Sequence, residues 1–160
     1  MESTTTTTTT HTTSVSVNVN YATSPLGILR ICEIILGLIC WAIIASLPGL
    51  NWSSPYQFVM FVAVTSWILT VILFIIYIAA LQASMCSGAP WAIIELIFNG
   101  SWALMYFIAA CVSAAYAGSN SLLIAGTVFA WFTTLTYVVH TALAYKEYRG
   151  GSFGGGSVNT

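Results

Sequence analysis

Polar residues along this chain collect into short breaks, and between the breaks lie four long stretches dominated by apolar residues, at about 26–47, 56–81, 90–115 and 122–145. A helix needs about 20 mainly apolar residues to cross a hydrocarbon core about 30 Å thick, and each stretch meets that length. The breaks carry turn chemistry instead of charge: Leu-Pro-Gly-Leu-Asn-Trp-Ser-Ser-Pro at 47–55, Ser-Met-Cys-Ser-Gly-Ala-Pro at 84–90 and Gly-Ser-Asn-Ser at 118–121. Short links between spans force each helix back beside its predecessor. The predicted fold is therefore an all-α, antiparallel four-helix transmembrane bundle over 26–145.

The flanks read differently. Residues 1–25 are Ser/Thr-rich, with seven consecutive threonines from Thr4 to Thr10, and bury too little apolar surface to offset ordering entropy. Residues 146–160 are Gly-rich and linker-like. Both are expected to be disordered tails. With no basic segment ahead of it, the first apolar run does not look like a cleaved signal and is expected to remain as an anchor. Arg30, Lys146 and Arg149 flank the first and last spans, while the 48–55 and 118–121 links hold no Lys or Arg, which points both tails to the cytoplasm.

Composition narrows the function classes. Of 160 residues, 58% are hydrophobic and 4% charged, against about 25% charged in a soluble domain. Three basic residues make no patch for a phosphate backbone, so nucleic acid is not an expected partner. Cys32, Cys40, Cys86 and Cys111 form no C-x-x-C pair, and no disulfide framework, metal site or cofactor is expected. No nucleophile–base set or phosphate loop is visible, so the chain is not read as an enzyme. Its expected partners are membrane lipids, other integral membrane proteins and further copies of itself.

Charge inside the spans is the strongest local signal. Arg30, Glu33 and Glu95 lie within predicted helices, where a charge costs at least about 2.5 kcal/mol. Arg30 and Glu33 fall roughly 6–10 Å below the membrane surface at 1.5 Å per residue. Glu95, near the start of the third span, and His140, near the end of the fourth, reach the same level because the helices alternate in direction. An intramembrane polar cluster of Arg30, Glu33, Glu95 and His140 is thus expected in the cytoplasmic leaflet. Arg30 pairs with Glu33, and Glu95 is left to share Arg30, meet His140 or take up a proton. The plain reading is interhelical glue, with Arg30 partly snorkelling to the surface; a small proton- or ion-coupled transporter using Glu33 and Glu95 is the competing one.

The third span repeats small residues every four positions, Ala109, Ser113, Ala117 and Ala110, Ala114, Gly118, a face for close helix packing or self-association. Cys86, in the second link, and Cys32 are placed for S-palmitoylation. Asn51-Trp52-Ser53 and Asn99-Gly100-Ser101 match the glycosylation sequon but lie in a short link and within a helix, so neither is a good acceptor.

Several segments carry a resemblance: Glu33-Ile-Ile-Leu-Gly-Leu-Ile-Cys-Trp-Ala-Ile-Ile-Ala45, Phe58-Val-Met-Phe-Val-Ala-Val64 with Trp67-Ile-Leu-Thr-Val71, and Pro90-Trp91 with Phe98-Asn-Gly-Ser101. In order and spacing the chain resembles the MARVEL-domain tetraspan proteins, in particular the plasmolipin and chemokine-like-factor branches, over about residues 26–117. The resemblance implies a cytoplasmic-tailed protein of ordered, sterol- and sphingolipid-rich membrane. Its expected roles are vesicle trafficking, membrane organisation and control of receptors at the surface; a lateral adaptor for a membrane receptor is a further competing reading. The third link, 118–121, is shorter than such proteins tend to have.

Overall fold

The computed structural model describes residues 18–47, 54–81 and 90–150. Among the described residues five helices follow in order: α1 Val19–Thr23, α2 Pro25–Ala45, α3 Ser54–Ile78, α4 Trp91–Tyr116 and α5 Ser121–Gly150. The last four are each long and apolar enough to cross a membrane.

Local chemistry sets their ends. Ser24 is extended, as a residue before proline favours, and its hydroxyl accepts from the Gly27 amide at 3.1 Å, while Pro25 occupies the first turn where no amide partner is needed. At the other end of α2 the Ser46 amide reaches Ala42 O at 3.1 Å. Between α4 and α5, Gly118 takes a left-handed φ of 53° and Asn120 caps the new helix, its Oδ1 accepting from Leu122 at 3.0 Å and Leu123 at 3.3 Å.

The four long helices form a closed ring in which α2 packs on α3, α3 on α4, α4 on α5, and α5 back on α2. Helices opposite each other across the ring meet through long or polar side chains. The core is built from Cys40 and Ile44 of α2, Val59, Val62 and Ala63 of α3, Tyr106, Ala109 and Ala110 of α4, and Ala130 and Tyr137 of α5. Outward positions are large and apolar on every helix, for example Ile35, Phe61, Ile72, Ile97, Leu104 and Leu135. A helix that is apolar on its outward face as well is at home only where the surroundings are apolar too.

Two boundaries differ from expectation. Residues 19–23 form a helix inside the stretch read as a disordered tail: Asn18 caps it, and the Asn18 amide donates to Ile78 O at 2.7 Å, tying α1 to the end of α3. Residues 146–150 also continue α5, since their Lys, Glu, Tyr and Arg are helix-compatible and the glycines begin only at 150.

Candidate functional site

Three helices bring ionisable side chains to one level of the bundle, at the end where α2 and α4 begin and α3 and α5 finish. Arg30 lies one turn into α2 and Glu33 three residues on, so both face the ring interior. Glu95 opens the buried face of α4, with Asn99 one turn above it. His140 faces them from α5. All five are buried, none more than 1% exposed.

Arg30 is the hub. One guanidinium nitrogen, Nη1, donates to Glu33 Oε2 at 3.2 Å and to Asn99 Oδ1 at 2.9 Å, and Nη2 pairs with Glu95 Oε1. Asn99 in turn donates to Glu95 Oε1 at 3.2 Å. His140 closes the cluster, with Nδ1 2.7 Å from Glu33 Oε1 and Nε2 3.0 Å from Glu95 Oε1, the second approach lying out of line for a good hydrogen bond. The guanidinium also stands 5.4 Å from the Phe98 ring centre, a cation–π approach. Arg30 therefore crosses the ring diagonal from α2 to α4. It does not snorkel: the side chain is fully buried, with Nη1 and Nη2 held by Glu33, Asn99 and Glu95.

Aromatic rings cover this end. Tyr21 of α1 stacks on Tyr77 of α3 with centres 4.8 Å apart, and Trp91 of α4 meets Tyr77 edge-on at 6.0 Å. Gly27 makes the fold-back of α1 possible, since a Cβ there would stand 1.9 Å from Tyr21 O. Tyr21 precedes the spans, and its burial pushes the phenol up to about 12, outweighing the opposing pull of Arg30.

Toward the middle of the bundle a second polar layer braces the other diagonal, where the Thr70 and Tyr137 hydroxyls lie 2.7 Å apart between α3 and α5. Tyr137 stacks on Tyr106 at 5.5 Å, and Ser66 Oγ is 3.1 Å from the Tyr106 hydroxyl. Farther on, Ser113 and Thr127 join α4 to α5 at 2.6 Å, and the Tyr56 hydroxyl donates to Tyr116 O at 2.6 Å. Polar side chains thus occupy the inside of the bundle at several levels, and these pairs join different helices, which is how membrane helices use them.

The other sequence candidates are placed as follows. Ala109, Ala110, Ser113 and Ala117 are buried against neighbouring helices, whereas Ala114 and Gly118 face outward. The small-residue face therefore divides: one stripe is internal, and the second turns outward after Ala110. Cys32 is half-buried, and Cys86 lies outside the described residues. Asn99, read from the sequence only as a poor sequon, is a full member of the cluster; its four-residue spacing from Glu95 was the available signal. Tyr106, Tyr137, Ser66 and Thr70 carry no charge to single them out. Among the described residues no group of three or more His, Cys, Asp or Glu is arranged to hold a metal ion.

With this architecture established, the comparisons are specific. No solved structure matches the chain. It is 31% identical over 137 residues to MARVEL domain-containing protein 1 of Xenopus laevis, covering 81% of this chain and 79% of that protein. It is 35% identical over 140 residues to CKLF-like MARVEL transmembrane domain-containing protein 8 of Mus musculus, covering 81% and 77%, and 32% identical over 138 residues to plasmolipin of Homo sapiens, covering 81% and 75%. The family profile of the MARVEL membrane-associating domain matches residues 21–143, from the Tyr21 cover through α5 beyond His140. A multi-pass, all-α membrane bundle with that match and those relatives belongs to the MARVEL family.

Proposed function

We propose that this chain is a non-enzymatic organiser of membrane microdomains that acts in vesicle trafficking or in controlling which proteins reside at a membrane surface. The observation that carries this reading is the division of the bundle: polar groups pair with one another inside, and large apolar side chains cover the outside. Such a body has its lateral surface as its main means of selecting company, by shape and by the thickness of the lipid around it. Both carboxylates of the transporter alternative, Glu33 and Glu95, are engaged by Arg30 and face His140, an arrangement that fits a structural lock better than a transport path.

The tails are proposed to face the cytoplasm, together with the ionic end of the bundle. Arg30 is buried and cannot act as a surface charge, so the orientation rests on Lys146 and Arg149, both exposed on the last turns of α5.

The test is partitioning of the fluorescently labelled full chain in phase-separated vesicles drawn from plasma membrane, together with its subunit count by stepwise photobleaching in native-lipid nanodiscs. Enrichment in the ordered phase and assemblies of two or more copies are expected. An even distribution with single copies only would overturn the reading, and proton flux into proteoliposomes abolished by Glu33→Gln would replace it with transport.

A further inference from the structure

The buried cluster does not balance unless an additional proton is bound. Arg30 contributes one positive charge and Glu33 and Glu95 one negative charge each, so with a neutral imidazole the site would be left with a net negative charge. All four side chains are buried, in a part of the chain that crosses the membrane. An uncompensated charge in such surroundings is strongly disfavoured, and the group neutralises instead.

The groups facing His140 sharpen this. From α2 come Arg30 and Glu33 and from α4 Glu95, with the phenol of Tyr77 on α3 beside Glu95 and that of Tyr21 on α1 beside Arg30. Its own helix supplies Tyr137 below and Glu147 above. Arg30 is the one fixed positive charge in that set. Both ring nitrogens of His140 stand against carboxylate oxygens, at 2.7 and 3.0 Å. Carboxylates only accept, and a neutral imidazole has one N–H, so one of these two approaches would set a lone pair against a lone pair. One more proton, on the ring or on a carboxyl, removes that opposition.

We propose that Arg30, Glu33, Glu95 and His140 form a proton-binding site that holds one exchangeable proton, and that the packing of α5 against α2 and α4 depends on it. Because the groups touch, the proton belongs to the cluster and not to a single residue. The assembled bundle then binds one proton more than separated helices do once the pH exceeds the ordinary imidazole range near 6.5. Assembly therefore weakens as pH rises, by about tenfold in the folded-to-unfolded ratio per pH unit until the cluster releases its proton.

The experiment is unfolding of the full chain by sodium dodecyl sulfate from mild-detergent micelles between pH 4 and 9, for wild type, His140→Gln and the double variant His140→Gln/Glu95→Gln. The wild-type midpoint should fall as pH rises above 6.5. In the single variant a carboxyl must take the proton, so its decline begins at lower pH. The double variant leaves Arg30 against Glu33 alone, is neutral without a bound proton, and should show a flat profile and greater stability than the single variant near pH 8. Should the variants not fold, the wild type decides: nitrogen-15 spectra of the single imidazole in a His11→Gln background, with infrared detection of a protonated carboxyl, should find the proton on one or the other at pH 7.5. A flat wild-type profile, a neutral ring with no protonated carboxyl, or equal stability of the single and double variants would each overturn the proposal.

Discussion

His140 Nδ1 sits 2.7 Å from Glu33 Oε1, joining two residues 107 positions apart across the seam where the last span closes on the first. The contact completes the ring. It also makes the first span's charges depend on the last, since Arg30 and Glu33 satisfy only part of each other's hydrogen-bonding capacity.

Arg30 is the residue whose loss should be felt most. Arg30→Met removes the partner of two buried carboxylates, and breaking a buried pair from one side costs about 3–5 kcal/mol. Detergent unfolding should read a loss of that size. Combining it with Glu95→Leu should recover a large part, because Glu33 keeps His140 and no second carboxylate is stranded.

Gly27→Ala should detach α1 without dissolving the bundle. The new methyl would overlap Tyr21 O, backbone that cannot swing aside, and overpacking of this kind costs about 1–3 kcal/mol. Amide hydrogen exchange over 19–23 should accelerate, while the amides of α3 and α4 stay protected.

Alkali should do the same through Tyr21. Its phenol is neutral when docked and is pushed up to about 12 by burial, against an ordinary value of 10. Docking is thus fully stable below pH 10. Between pH 10 and about 12 the undocked phenol ionises while the docked one does not, weakening docking by about tenfold per pH unit. Ultraviolet absorbance of tyrosinate tracks the release, and Tyr21→Phe should remove this part of the pH response.

Leucine at two small positions should separate internal packing from lateral contact. Ala110 is fully buried in the core, so Ala110→Leu should destabilise the bundle by about 1–3 kcal/mol. Ala114 faces outward, and Ala114→Leu should leave unfolding unchanged. Any change in self-association by that variant, read from cross-linking in nanodiscs, then reports on the outer surface alone.

The number of spans, their antiparallel order and the shared level of Arg30, Glu33, Glu95 and His140 were legible in the sequence. Each rests on counting: apolar run lengths, and residues from a span's end. Rotation of the helices was not legible. A span apolar on every side gives no sign of which face turns inward, so Tyr106, Tyr137, Thr70 and Ser66 passed unnoticed, and Ala110 and Ala114 were placed on one face. Asn99 was hidden because an uncharged amide in a span carries little penalty until its neighbours are known. α1 was missed because its Asn cap and short length look the same as the polar sequence before it.

The closing of the ring by α5 has a consequence for how the protein is made. Synthesis runs from the first span to the last, so α2 is in the membrane before Glu95, Asn99 and His140 exist. During that interval Arg30 has Glu33 alone, three residues along the same helix, as its partner within the first two spans. The i, i+3 pair acts as a temporary escort that makes α2 tolerable to the bilayer until α4 arrives. A nascent chain stopped before α4 would carry an incompletely satisfied arginine within the membrane, a mark by which quality control could tell an unfinished molecule from a finished one.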